Sequence, residues 1–137
     1  MRTALDTNIL SALWSAEPAS SRVATELAEA RSQGGVVICA PVFAELLAHP
    51  SATPEFVEQF LRDTGVVVEF DLDENVWRLA AKAFAVYANR RRRSGGDSPR
   101  RLLVDFVIAS HASLHADVLM TLDAKRYKQD FPKLRFV

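Results

Sequence analysis

Four acidic residues are the part of this sequence best suited to chemistry, because they lie at comparable junctions between apolar runs and helical patterns. They are Asp6, Glu45, Asp105 and Asp123. Leu5 ends an apolar run, and the apolar residues after Asp6 recur at intervals of three and four, so Asp6 occupies a predicted strand-to-helix turn. Groups at the carboxyl ends of parallel strands line the crevice in which α/β proteins bind ligands. The spacing predicts an acidic crevice, although Asp6 taken alone equally fits a helix cap.

Carboxylates gathered at one sheet edge repel one another unless a cation joins them. Mg²⁺ suits such a group, because it prefers oxygen ligands, binds through a few carboxylates and keeps several waters. A cation held in this way can activate a water molecule and orient a phosphodiester. Asp105 indicates the same chemistry, since it is the one acid of a nearly all-apolar predicted helix and needs a partner for its charge.

Two histidines offer a different metal chemistry. His111 and His115 have the i, i+4 spacing of a helical metal pair, but no HExxH pattern accompanies them. We therefore interpret them as residues of a helix surface or of the edge of the core. Cys39, the single cysteine, lies in an apolar run and is expected to be a buried hydrophobic residue rather than a reactive thiol.

The elements that must position the acids follow from the apolar pattern. The predicted strands are one that ends at Leu5 and those at residues 36–40, 66–70, 118–121 and 134–137. Helical patterns separate them, which implies βαβ units and a parallel sheet. Pro41 suits a helix start, so Glu45 is expected in the first turns of that helix, near the positive end of its dipole. Asp73 is interpreted as a helix cap rather than as an active-site acid.

Composition sets the class of protein. The chain has 137 residues, enough for one domain that spans residues 1–137 and buries a single core. Its 17 basic and 17 acidic side chains cancel, which argues against a nucleic-acid footprint over the whole molecule but leaves room for a local one. No apolar stretch is long enough for a signal peptide or a membrane span, so we expect a cytoplasmic location and no membrane partner.

Six arginines flank a glycine-containing turn in the strongest local shift of composition. They are Arg90, Arg91, Arg92, Arg93, Arg100 and Arg101. Four successive arginines cannot share one helix face, so several must point to solvent or to a polyanion. A solvated charged loop and a site for RNA phosphates both fit this pattern, and the planar donor fork of arginine suits the second.

The segments ALDTNIL, PVFAELL, LLVDFVIASHA and MTLDAKRY, in this order and spacing, resemble PIN-domain ribonucleases. The resemblance is greatest to the VapC toxins of bacterial type II toxin–antitoxin pairs. It covers essentially the whole chain, including the closing FPKLRFV. Carried over by position, the four acids of the family fall on the four acids described above, and Asn8 and Thr121 match polar positions that support them.

The resemblance implies a PIN-like three-layer α/β/α sandwich with a parallel sheet of about five strands. It also implies an endoribonuclease that depends on Mg²⁺ or Mn²⁺, a homodimer and a cognate VapB-like antitoxin. The metal would be held by Asp6, Asp105 and Asp123, with Glu45 as a further ligand or as the base that orients water. Asp123 could instead only cap the helix that leads to Tyr127.

Two other functions remain open from the residues. A non-catalytic PIN-fold module that binds RNA or protein would keep the fold, but it would have no reason to keep four like charges together. An aspartyl-phosphate phosphotransferase would be expected to carry a second acid two residues after Asp6, where this chain has Asn8.

Overall fold

The computed structural model describes residues 1–95 and 102–137. Strands and helices alternate along much of the chain, as the apolar pattern predicts. In chain order the elements are β1 Thr3–Leu5, α1 Thr7–Trp14, α2 Ser20–Gln33, β2 Val36–Cys39, α3 Ala40–Leu46, α4 Pro54–Thr64, β3 Val66–Glu69, α5 Glu74–Arg93, α6 Leu103–His115, β4 Val118–Met120 and α7 Lys125–Lys128. None of these helices is long and apolar enough to cross a membrane.

The strands of the described residues form one parallel sheet in the order β3-β2-β1-β4. Helices flank the sheet, so the predicted three-layer α/β fold is confirmed. The predicted strand at residues 134–137 is reduced to one parallel bridge between Leu119 and Phe136. Two backbone hydrogen bonds accompany this bridge, so four full strands and one bridged segment make up the expected sheet of about five strands.

Burial explains why the strands read as continuous apolar runs. Every residue of β1, β2 and β4 is buried, as expected for parallel strands covered on both faces. The edge strand β3 is more open, and Val67 in its middle is 56% exposed. The sheet interior joins apolar faces of the helices in one core cluster.

The register of the sheet decides which residues meet at its carboxyl edge. Leu5 of β1 pairs with Met120 of β4, so the residues that follow them, Asp6 and Thr121, emerge side by side. The backbone N–H of Asp6 donates to the carbonyl of Met120 at 3.0 Å. The strands that precede Asp6 and Asp123, β1 and β4, are therefore parallel neighbours.

Two helix boundaries differ from those expected. The helix α3 ends at Leu46, so Glu45 lies in its last turn rather than its first, and the predicted stabilisation by the helix dipole is wrong. The helix α5 continues through the arginine run to Arg93, so these arginines do not form a loop. Arginine is a good helix former, and basic residues are favoured in the last turn of a helix.

The expected cap of α5 is confirmed. Asp73 precedes the helix, and its side chain accepts a hydrogen bond of 3.1 Å from the backbone N–H of Val76. This bond satisfies one of the unpaired donors at the helix start. Asp73 is therefore the N-cap of α5.

Candidate acidic site at the carboxyl edge of the sheet

Asp6 is a nearly buried carboxylate that accepts three hydrogen bonds. It is 6% exposed and lies between β1 and α1. One oxygen accepts from the backbone N–H of Thr7 at 2.8 Å. The other accepts from the hydroxyls of Thr121 at 2.9 Å and Tyr127 at 2.7 Å. Donors of this kind stabilise the charged form of a carboxylate and fix its orientation.

The hydrogen bonds that Thr121 accepts from other residues orient its hydroxyl so that it donates to Asp6. Its hydroxyl oxygen accepts from the side-chain amide of Asn8 at 3.2 Å and from the backbone N–H of Asp123 at 3.1 Å. Its single hydrogen is therefore free for Asp6. Asn8 also accepts from the backbone N–H of Leu122 at 3.1 Å, which ties α1 to the segment after β4. Both polar residues expected beside the acids thus belong to one network with Asp6.

Asp105 is the second nearly buried acid of this edge. It is the third residue of α6 and is 6% exposed. The guanidinium of Arg126 donates to one of its oxygens and forms an ion pair with it. Arg126 and Tyr127 are consecutive residues of α7, so this short helix contacts both Asp105 and Asp6.

The electrostatics of α7 reflect both acids. Burial, followed by the charge and hydrogen bond of Asp6, raises the pKa of Tyr127 well above its ordinary value, and Asp105 adds to this effect. Partial burial opposes the charge of Arg126, but Asp105 holds the pKa of its guanidinium above the ordinary value. Tyr127 is therefore a neutral donor and Arg126 a cation at neutral pH.

Glu45 reaches the same edge from α3. Its carboxylate accepts a hydrogen bond of 2.6 Å from the hydroxyl of Thr7, the residue next to Asp6. Cys39, at the end of β2, lies close enough to Asp6 and Glu45 for both charges to affect its thiol. Burial raises the pKa of its thiol to about 11, and the charges of Asp6 and Glu45 add to the shift. Cys39 is 1% exposed, in agreement with its expected role as a buried hydrophobic residue.

Asp123 is set apart from the other three acids by its exposure. Its side chain makes no hydrogen bond or ion pair with another described residue, whereas its backbone contacts Thr121. The residue before α7 is Ala124, and no side chain caps this helix. The alternative that Asp123 caps the helix leading to Tyr127 is therefore wrong, and its carboxylate is free to act elsewhere.

Two of the acids fit a divalent cation better than the whole set does. Within residues 1–95 and 102–137, no three acidic, histidine or cysteine side chains converge closely enough to hold a metal ion by themselves. Mg²⁺ commonly uses only one or two carboxylates and completes its shell with waters and substrate phosphates. Asp6 and Asp105 have the oxygen chemistry and the burial for that mode of binding, and Arg126 forms an ion pair with Asp105.

Sequence reasoning missed the role of α7. Tyr127 is completely buried, as expected of a large aromatic side chain in the core, but it also donates to Asp6. Nothing in the local pattern singled out Arg126, because its partner Asp105 lies 21 residues earlier in the chain. Asp6 also caps α1, and the hydroxyl of Thr7 contacts Glu45, a residue 38 positions later in the chain.

The predicted RNA-binding arginines have diverse environments at the end of α5. Arg90 forms an ion pair of 2.9 Å with the buried side chain of Asp130 and lies over the ring of Tyr87. Arg92 donates to Asn89, and the side chain of Arg93 is exposed. Arg91 is half-buried, and Arg100 and Arg101 lie outside the described residues.

The two histidines of α6 contact acids other than the four of the candidate site. The ring of His111 is buried and lies 2.7 Å from Glu69, and that of His115 lies 2.7 Å from Asp73. Burial lowers the pKa of His111 despite the opposing effect of Glu69, so its neutral ring donates to this carboxylate at neutral pH. These positions agree with the interpretation as residues of the core edge and helix surface.

Comparison with known proteins identifies the class to which this fold and site belong. The PIN domain profile matches residues 3–132, so the chain belongs to the PIN domain family. None of the curated proteins compared with the chain matches it.

Two solved structures show the particular likeness within that class. One is VapBC-1 from nontypeable Haemophilus influenzae, with 28% identity, a TM-score of 0.67 and coverage of 100% of this chain and 97% of that one. The other is VapBC2 from Rickettsia felis bound to a DNA fragment from their promoter, with 20% identity and a TM-score of 0.65. This match covers 100% of this chain and 98% of that one, and at this identity it supports the fold alone. The resemblance to VapC-type PIN proteins is confirmed.

Proposed function

We propose that this protein is a metal-dependent endoribonuclease of the VapC type that hydrolyses phosphodiester bonds in RNA. The observation that carries the proposal is the pair of nearly buried carboxylates, Asp6 and Asp105, at one edge of the sheet. Burying two like charges is costly, so a protein that needed only a stable fold would gain little from the arrangement. A positively charged ligand would offset the cost of burying these two carboxylates.

In this proposal Asp6 and Asp105 hold Mg²⁺, or Mn²⁺ in its place, and the exposed carboxylate of Asp123 is a third ligand. When bound, the cation supplies a Lewis acid and lowers the pKa of a water molecule. Glu45 is the fourth catalytic acid, as a ligand or as the base that orients the attacking water. Thr121 and Asn8 keep Asp6 in a fixed orientation through the contacts described above.

The partners follow from the likeness to VapBC structures. That likeness extends over the full length of this chain and supports a VapB-like antitoxin that inhibits the protein. A homodimer and a cytoplasmic location complete the proposal. Co-expression with the gene product of an adjacent small reading frame, followed by co-purification, tests the antitoxin directly.

The catalytic proposal is tested with Asp6→Asn and Asp105→Asn. Both variants should lose Mg²⁺-dependent cleavage of a single-stranded RNA, because each loses a charged ligand. Asp71→Asn is the matched control, since Asp71 is an exposed acid of the loop after β3. Thermal melting in EDTA shows that the variants are folded. Undiminished cleavage by either site variant would refute the assignment.

Asp123 has a separate test because its carboxylate is exposed. If it is a ligand, Asp123→Ala should weaken Mn²⁺ binding and lower activity in a way that added metal partly restores, because two buried carboxylates remain. Melting in EDTA should be unchanged, since the side chain makes no contact with another described residue. Equal Mn²⁺ midpoints in the variant and the original protein would remove Asp123 from the site.

A non-catalytic PIN module that binds RNA or protein is the second candidate. It is favoured by one observation, the ion pair between Arg126 and Asp105, because a protein cation already satisfies this acid. The same assay separates the two functions. A non-catalytic module would bind RNA or a protein partner while leaving RNA intact at every Mg²⁺ concentration.

A further inference from the structure

Consecutive residues of α7 hold the two buried acids in different ways. Tyr127 is completely buried and gives Asp6 a neutral hydrogen bond of 2.7 Å. Arg126 keeps 38% of its side chain exposed while its guanidinium pairs with Asp105, whose side chain is only 9% exposed. One acid is thus held by an anchored neutral group, and the other by a partly exposed cation on a flexible stem.

The charges of this group suggest an exchange. Arg126 pairs with a carboxylate that the proposed cation site also uses, that of Asp105. A divalent cation bound to Asp105 would compete with the guanidinium for the same oxygens, and it would repel a guanidinium only one hydrogen bond away. An RNA phosphate offers the released guanidinium another anion to bind.

We propose that Arg126 is a counter-ion that a divalent cation displaces from Asp105, and that its released guanidinium then binds an RNA phosphate beside the metal. The inference rests on the proposed function and adds a phosphate-binding residue to it. Carboxylate and phosphate both present paired oxygens to the planar fork of arginine, so Arg126 exchanges one such partner for another. Tyr127 ties α7 to the core through its buried ring and to Asp6 through its hydroxyl, so the exchange of partners needs only the side chain of Arg126 to move.

The first test measures RNA binding with and without a cation. Fluorescent single-stranded RNA is titrated in Ca²⁺ and in EDTA, and gel electrophoresis verifies that it stays intact. Arg126→Gln should weaken binding about tenfold or more in Ca²⁺ and less than about twofold in EDTA, because only the released guanidinium reaches the phosphate. Arg126→Lys keeps the charge without the fork and should fall between. Lys125→Gln, an exposed position of the same helix, is the control and should not depend on the cation.

The second test observes the displacement itself. In the ¹⁵N-labelled protein without RNA, the guanidinium Nε–H signal of Arg126, assigned by its loss in Arg126→Lys, should shift and exchange faster with water as Mg²⁺ is added. The matched signal is that of Arg90, whose partner Asp130 lies outside the acidic edge, and it should stay unchanged. This measurement uses the unmodified side chain, so it decides the question even if Arg126→Gln does not fold.

The outcomes separate this inference from the function on which it rests. If the original protein binds Mn²⁺ and RNA but Arg126→Gln loses RNA affinity equally in Ca²⁺ and EDTA, or not at all, the counter-ion exchange is refuted and the catalytic proposal stands. An Arg126 signal unaffected by saturating Mg²⁺ has the same meaning. A protein that binds no Mn²⁺, in which Asp105→Asn changes nothing, overturns the proposed function and this inference together.

Discussion

The hydrogen bond from Tyr127 to Asp6 provides a quantitative test of how the acidic site is held together. Tyr127→Phe removes only the hydroxyl, because the buried ring keeps its packing, including the contact with Phe136 at a centroid distance of 6.3 Å. A hydrogen bond to a charged group contributes about 1.5–3 kcal/mol to stability, so the free energy of unfolding in EDTA should fall by about that amount. Asp6 would retain its bonds from Thr7 and Thr121, so the site should weaken without collapsing.

The assay is urea unfolding at pH 7.5, arranged as a double-mutant cycle with Asp6→Asn. In the Asp6→Asn background the acceptor is neutral, so Tyr127→Phe should cost only about 0.5–1.5 kcal/mol, which leaves a coupling energy of about 1 kcal/mol. Asp123→Asn is the control, and it should change stability by less than about 0.5 kcal/mol because the side chain is exposed. Additive effects of the two substitutions would refute the reasoning that Tyr127 stabilises the charged form of Asp6.

Two further predictions concern the rest of the molecule. Arg90→Ser should lower the free energy of unfolding by about 1–3 kcal/mol, because it leaves the buried Asp130 without this ion pair, whereas Arg93→Ser should leave urea unfolding unchanged. If Arg93 binds a phosphate, Arg93→Ser should reduce the slope of a plot of the logarithm of RNA affinity against the logarithm of salt concentration by about 0.7. His111 has a lowered pKa in the folded protein, so the unfolded chain takes up its proton first as pH falls. The contribution of the neutral His111 to the free energy of unfolding is complete above pH 6.5. It is lost as the pH falls from 6.5 through the lower pKa of the folded state, at no more than about 1.4 kcal/mol per pH unit. His111→Gln should flatten urea midpoints measured from pH 7.5 to 5, and an unchanged profile would contradict the linkage.

Local pattern was sufficient for the sheet and for the position of Asp6. The strands β1, β2 and β4 are short buried apolar runs, and a run of that kind is visible without knowledge of its neighbours. The cap at Asp73 was predictable for the same reason, since its partner Val76 is three residues away. The strand predicted at residues 134–137 was the exception, because a segment at the sheet edge pairs only as far as β4 offers a partner, and here that is one bridge.

The contacts that convert separate acids into a site were decided by the tertiary structure. Thr7 and Glu45 are 38 residues apart, Asp105 and Arg126 are 21 apart, and no periodicity links either pair. The sequence by itself determined that Asp6 and Asp123 follow buried strands, because burial and turn chemistry act over a few residues. Only the packing of α7 against the carboxyl edge decided that Arg126 neutralises one acid, because a charge pairs with whichever group the fold brings within reach.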